Sequence, residues 1–442
     1  MAIADPDQAK EAIAVEADAS AAPLTSAVPP GRRRFSTFDA LQLRDFRYIF
    51  FGNLMQFAGM QMMTLVKGIL VFQLTGSFAA LGTLALANSV PGLICYPFGG
   101  VIADRFPKRS VIQVGQAVIA ISTAVLAVIA GLDLLRYEHL MLAAVLQGST
   151  HALATPSRHT IISDSVGPDR MMNAIALNTS GTNFMQLVGP GLGGLLLAIV
   201  SPAAAFWVMT GLAVGACVCA AGLPKYPPFA PARTAAGAAK PTVQQSLRSL
   251  GEGATHLIHN PALRTLISVN FVIVLLSMPY SMMLPGFVED VLGKGEIEQG
   301  ILVSVSGLGA MLGSLVIASM PARHRGQMLV WVAIALSVNL IVFATSTNYY
   351  VTIPIMLVLG VISAMRLSLG QVLVQVYSEP EYRGRVVSVW MMQYSIMSLG
   401  TFVVGMLAEF FGVQMAIGGM AVVLLVVMLV VSVFGKPIRN LE

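Results

Sequence analysis

Between about residue 47 and residue 434 the chain alternates long apolar runs with short polar breaks, and the breaks carry most of the glycine, proline and charge. A helix crossing a hydrocarbon layer of roughly 30 Å needs about 20 apolar residues, because its backbone amides find no water and must satisfy one another within the segment. The runs predict helices near 47–72, 77–99, 110–131, 139–161, 171–200, 203–223, 262–284, 297–319, 327–346, 349–374, 386–410 and 414–434. The expected fold class is therefore an all-α membrane protein of twelve transmembrane helices in two pseudo-symmetric six-helix bundles.

Composition agrees with that reading. Charged residues make up 11% of the chain and hydrophobic residues 56%, and the mean hydropathy is +0.77, whereas an ordinary soluble domain is about 25% charged. Most of the surface must then face a lipid bilayer. The net charge of +5 does not point to nucleic acid, because the cations lie in short loops on one set of alternate breaks. Arg32 to Arg34, Arg105, Lys108, Arg109, Arg170, Lys225, Arg248, Arg325, Arg383 and Lys436 share that side, while the other side holds little beyond Arg136 and Lys294. By the positive-inside rule both termini are expected in the cytoplasm. Residues 1–20 begin with acids and lack a basic stretch before an apolar core, so no secretory signal is expected there.

A break in hydropathy divides the chain. The expected organisation is a disordered tail over 1–37, a first bundle over 38–223, a linker over 224–261, a second bundle over 262–435 and a tail over 436–442. Within the linker, apolar residues recur at helical spacing from Val243 to Ile258, which suits an interfacial helix or a solvated one. The halves also repeat. At an offset of about 212 residues Gly148 falls on Gly360, Pro168 on Pro380 and Asp169 on Glu381. Two parallel six-helix repeats are the construction in which halves rock about a site near the membrane midplane.

The break between the second and third helices reads "GGVIADRFPKRS", and the fifth helix carries "LVGPGLGGLL". The first string resembles the signature G-x-x-x-D-R-x-G-R-[RK] of the major facilitator superfamily, with Gly100, Asp104, Arg105, Lys108 and Arg109 in the matching places and Pro107 where the second glycine usually stands. The resemblance implies that Asp104, Arg105 and Arg109 gate the cytoplasmic side; a role of the cations as topology anchors alone is the alternative. The second string, with Gly189, Pro190, Gly193 and Gly194, resembles a packing motif of that superfamily's antiporters. In the fourth helix the R-x-x-Q-G pattern of proton-coupled drug exporters is matched at Gln147 and Gly148, with Ala144 in the arginine's place. Strings such as "NPALRTLI" and "YRGRVVSVWMM" resemble the branch that contains bacterial enterobactin exporters and macrolide efflux proteins, which implies a bacterial inner membrane.

Polar groups inside the hydrocarbon zone are costly and usually face a protein interior or an aqueous cavity. Arg366, in the tenth helix at the repeat position of Ala154, is the foremost candidate. Asn53, Gln56 and Lys67 share a face of the first helix, and Asn178, Thr182 and Gln186 share one of the fifth. These and Trp390 are candidate cavity residues, with interhelical bonding or packing as the alternative. No Asp or Glu lies near the centre of any span, which leaves His151 as the candidate proton carrier. Cys95, Cys217 and Cys219 read as packing residues, and no cofactor or metal site is expected. The function expected is secondary active export of a small amphipathic molecule, siderophore or drug-like, by alternating access with proton coupling, in a monomer. A lysophospholipid flippase, an importer, or a non-transporting sensor or scaffold are the alternatives. No nucleotide loop or catalytic cluster argues for an enzyme.

Overall fold

The helices begin where side chains cap them. Ser77 Oγ accepts from the Ala80 amide at 3.3 Å, Ser201 Oγ from Ala204 at 3.1 Å, and Asn260 Oδ1 from Ala262 and Leu263 at 3.1 and 3.2 Å; Pro202 and Pro261 occupy first helical positions, where the missing amide is no loss. The first helix stops at Gly76, whose φ of 62° suits a residue without a Cβ.

The computed structural model describes residues 39–166, 168–224, 260–320, 325–378, 386 and 389–434, with no strand among them. The expected tails 1–37 and 436–442, and the linker with its helix from Val243 to Ile258, lie outside the described residues, apart from 224, 260 and 261 of the linker. Twelve long helices follow in order: α1 (Arg44–Thr75), α2 (Phe78–Arg105), α3 (Lys108–Gly131), α4 (Tyr137–Ser165), α5 (Pro168–Ile199), α6 (Pro202–Ala221), α7 (Pro261–Ser277), α8 (Glu296–Ser319), α9 (Arg325–Thr345), α10 (Tyr349–Tyr377), α11 (Gln393–Phe411) and α12 (Val413–Phe434). After Ser277 the chain turns at Met278 and Pro279, resumes as a short helix Tyr280–Gly286 and finishes in a wider π turn, Phe287–Val291. Residues from Ala40 onward form one compact unit.

Among the described residues, eleven helical segments are long and apolar enough to cross a membrane. The exception is α4. It is as long as its neighbours, but Gln147, Thr150, His151, Thr155 and Arg158 make it the polar member of the set.

The packing repeats with the sequence. In the first half α2 lies on α4, α3 on α6, and α1 on α5 and α6; in the second, α8 lies on α10, α9 on α12, and α7 on α11 and α12. The halves meet through α5 with α8 and through α2 with α11, two contacts that the same pseudo-symmetry exchanges. Lipid tails are as apolar as leucine, so close approach and dispersion hold such helices together, which favours glycine at the crossings. Gly148 and Gly360, paired by the repeat, sit at matching crossings. A Cβ on Gly148 would overlap the Asn88 carbonyl of α2, and one on Gly360 the Ser306 carbonyl of α8.

Candidate functional site

Lys67, in α1, is 4% exposed, and its Nζ donates to Gln147 Oε1 of α4 at 2.5 Å. Gln147 is the glutamine of the R-x-x-Q-G pattern. The cation that the pattern places at residue 144 is here supplied by a different helix, and Ala144 itself is fully buried in the apolar core.

The second half holds its own cation. Arg366 of α10 is 4% exposed and donates through Nη1 to Asn270 Oδ1 of α7 at 2.8 Å. Asn270 passes the chain on, its Nδ2 donating to Gln393 Oε1 of α11 at 3.4 Å. Arg366 Nε and Gln393 Nε2 are left without partners. In both halves an amide carbonyl, a neutral dipole, faces the buried charge. Burying a charge costs several kcal/mol unless it is paired and fully bonded, so neither site is explained by folding stability.

A cavity of about 50 Å³ opens inside the first half, between α1, α3, α4 and α6. One wall is a face of α4 bearing Gln147, His151, Ala154 and Arg158, spaced three, four and seven residues apart so that all point the same way. Gln56 and Gln116 contribute further polar groups, and Met55, Met60, Met63 and Met209 line the remainder. Arg158 Nε has no hydrogen-bond partner. Sequence reasoning passed over Arg158 because it lies near the end of its helix; the i, i+4, i+7, i+11 spacing from Gln147 was the available signal.

The remaining candidates divide. Asn53 and Asn178 are brought together, Nδ2 of the first donating to Oδ1 of the second at 2.9 Å, which ties α1 to α5. Gln186 is exposed, and its backbone carbonyl lies at the crossing with Gly307 of α8. Trp390 is 1% exposed; it lines no cavity described here but packs among Leu263, Leu266, Leu369 and Leu373. The charged stretch expected as a loop is mostly helix: α2 runs on through Arg105, since no breaker intervenes before Pro107, and α3 starts at Lys108. Arg105 is exposed, Lys108 is buried, and Arg109 Nη1 donates to the Leu223 carbonyl at 2.7 Å, within its own half. The side chain of Asp104 and the surroundings of Gly100 lie outside what is described.

Between the halves runs a seam. Gln73 Nε2 donates to Glu296 Oε1 at 2.6 Å, and Glu409 Oε2 of α11 accepts from Ser77 Oγ at 2.9 Å and from the Ala79 amide at 3.3 Å. That carboxylate thus caps the N-terminus of α2 from across the seam, the favourable end for an anion. Ser89 and Ser398 hydroxyls bond directly. Glycines close the rest: a Cβ on Gly82 would stand 2.9 Å from Phe402 Cα, one on Gly405 2.6 Å from the Phe78 carbonyl, and one on Gly307 3.0 Å from Leu187 Cα. The helix-five motif is split between two neighbours. Gly189 and Gly193 face α1, while Gly191 and Gly194 face α8. Among the described residues these links run from the Glu296 and Glu409 end to mid-helix.

The family model of the Major Facilitator Superfamily matches residues 49–398 and 277–440. The chain is 26% identical over 382 residues to the multidrug efflux pump Tap of Mycolicibacterium fortuitum, an alignment covering 84% of this chain and 91% of that protein. It is 21% identical over 346 residues to the staphyloferrin A transporter of Staphylococcus aureus, covering 75% of this chain and 82% of that one. Among solved structures, the nucleoside transporter NupG superposes with a TM-score of 0.69 at 16% identity, over 89% of this chain and 99% of that chain. A bacterial homolog of the human lysosomal transporter Spinster, in an inward-facing and unoccupied conformation, superposes with a TM-score of 0.68 at 15% identity, over 89% and 97%.

Proposed function

Because the chain belongs to the Major Facilitator Superfamily, and is therefore a multi-pass membrane transporter and not an enzyme, we propose that it exports a small amphipathic molecule by alternating access. The observation that carries this reading is the seam between the halves, one-sided among the described residues. Two pseudo-symmetric halves joined from mid-helix to one end, each with a buried cation on a neutral amide, suit bodies that rock about a polar midplane. The basic ends of the helices lie opposite that seam, so on the positive-inside rule the seam is external and both termini are cytoplasmic. On this assignment the structure is the state closed to the outside. Asp104, Arg105 and Arg109 would latch the opposite mouth in the other state, and Arg109, now bonded to Leu223, would have to exchange that partner.

Export, with siderophore or drug-like cargo, is favoured by the likeness to an efflux pump and to a siderophore transporter. Coupling to protons is part of the proposal, with His151, exposed at the cavity wall, as its carrier. Everted membrane vesicles test direction, cargo and coupling together. Uptake of a siderophore or drug that rises with an imposed proton gradient is the expected outcome. Uptake only into right-side-out vesicles would overturn export, and gradient-independent flux would overturn coupling; full gradient dependence in His151→Gln would remove His151 from the role.

A further inference from the structure

Lys67 stands one helical turn beyond Met63 on the same face of α1, and Met63 lines the cavity among α1, α3, α4 and α6. Its partner Gln147 lines that cavity as well, and so does Ala143, one turn from Gln147 on α4. The Lys67 amine is thus one side chain away from the space. A volume of about 50 Å³ takes a few waters, each needing about 10–15 Å³ and about two to four polar partners. Gln56, Gln116, Ser122, Gln147, Thr150 and His151 supply such partners along the wall. His151, which is exposed, links that wall to the surface.

Little else reaches the amine. Here α5 sets Gly193 against Met62 and Val66, the short helix Tyr280–Gly286 sets Pro285 against Gly68, and α6 adds Met209 and Ala213 to the cavity wall. Of the titratable groups on α4, His151 and Arg158 lie one and three turns from Gln147 on its face, and Tyr137 lies toward the other end, its hydroxyl paired with Thr83 of α2. The Glu296 carboxylate is held by Gln73 of α1, and among the described residues no carboxylate lies against Lys67. A buried lysine with only a neutral dipole for a partner has nothing to fix its charge, and an ionisable side chain at membrane depth marks a functional site. We propose that Lys67 is a proton-binding site, reached from the aqueous space beside His151 through waters held in this cavity. The step turns a neutral amine and a hydronium into an ammonium and a water, and its reverse returns the proton, with no other reactant. It deepens the reading of proton coupling given above and rests on that reading for its use: His151 collects the proton at the mouth and Lys67 holds it within.

The test is solid-state NMR of the full chain in lipid bilayers, with lysine side-chain nitrogens labelled and bulk water protons as the probe of access. One nitrogen signal, missing in Lys67→Met, is expected to move from its ammonium to its amine position as the bath is stepped from mildly acidic to mildly alkaline, and to receive magnetisation from water. Should Lys67→Met fail to fold, Lys67→Arg keeps the charge and gives the same assignment. Ser122→Leu keeps every charge and fills part of the cavity, so the transfer from water to Lys67 should be lost; Thr150→Leu serves where the first does not fold. A signal that holds one position across the whole range, or water transfer that survives in the folded cavity-filling variant, overturns the proposal. The measurement needs neither cargo nor gradient. A fixed charge on Lys67 beside gradient-driven uptake in the vesicles overturns this role and leaves the coupling, whereas uptake that ignores the gradient beside a titrating Lys67 overturns the coupling and leaves the proton site.

Discussion

The two halves place the same helices in the same contacts, yet they treat the space beside the fourth helix of each repeat differently. In the first half α4 sets Ala154 and Arg158 along a cavity. At the repeat offset, α10 sets Arg366 and Gly370, and the Trp390 ring lies where a Cβ on Gly370 would go. The cation has moved by one helical turn, and an indole stands where the first half keeps a void. Each cation leaves its Nε without a partner, and Arg366 is in addition tied to Asn270 and on toward Gln393. Repeat symmetry has thus preserved the helix crossings, which need glycine at fixed places, while the chemistry between the crossings diverged. At this place an indole fills one half and the other keeps room.

The largest effect should come from emptying the filled half. Trp390→Ala removes a fully buried indole and is expected to cost about 3–5 kcal/mol, as large-to-small core changes do, read as a lowered thermal midpoint of the detergent-purified protein. A loss below about 1 kcal/mol would mean that the second half is not packed around this residue, and the contrast would fail. Next come the cations. Lys67→Met and Arg366→Gln each remove a charge that folding does not need, so membrane insertion and thermal midpoint should stay near wild type while the initial efflux rate falls roughly tenfold, about 1.4 kcal/mol. Normal efflux in either variant would make that cation structural and sharpen the difference between halves. The smallest effect belongs to the seam. Glu409→Gln weakens the charge that caps α2, an interaction of about 0.3–1 kcal/mol, and should raise labelling of a cysteine placed at the outer mouth roughly two- to fivefold. Unchanged labelling would take Glu409 out of the gate.

The twelve helices were legible because a bilayer demands long apolar runs, and their ends fell within a few residues except where the chain gave no breaker. The second helix continued to Arg105, the seventh was interrupted where Met278 and Pro279 turn it, and the eleventh, expected from about 386, begins at Gln393 after a turn at Met392. Side-chain pairings were less accessible. Asn53 and Asn178 were singled out on separate helices, but nothing in their spacing said that they bond to one another. Lys67 reaches Gln147 across 80 residues of sequence, a distance over which periodicity carries no information. Asn270 and Gln393 went unremarked because a lone amide in an apolar run resembles any other. Trp390 read as cavity wall because an aromatic residue beside methionines has the same signature whether it lines a space or fills one.

The seam glycines have a mechanical consequence. Where Gly82 meets Phe402 and Gly307 meets Leu187, main chain rests on main chain with no knob seated in a hole, so little interlocking must be undone before the halves part. Such a surface behaves as a smooth bearing, and the bulk of a single residue on it sets how long the gate rests shut. Adding one methyl at Gly82 or Gly307 would act as a wedge, trading dwell time on one face of the membrane for dwell time on the other without altering a single group that cargo touches.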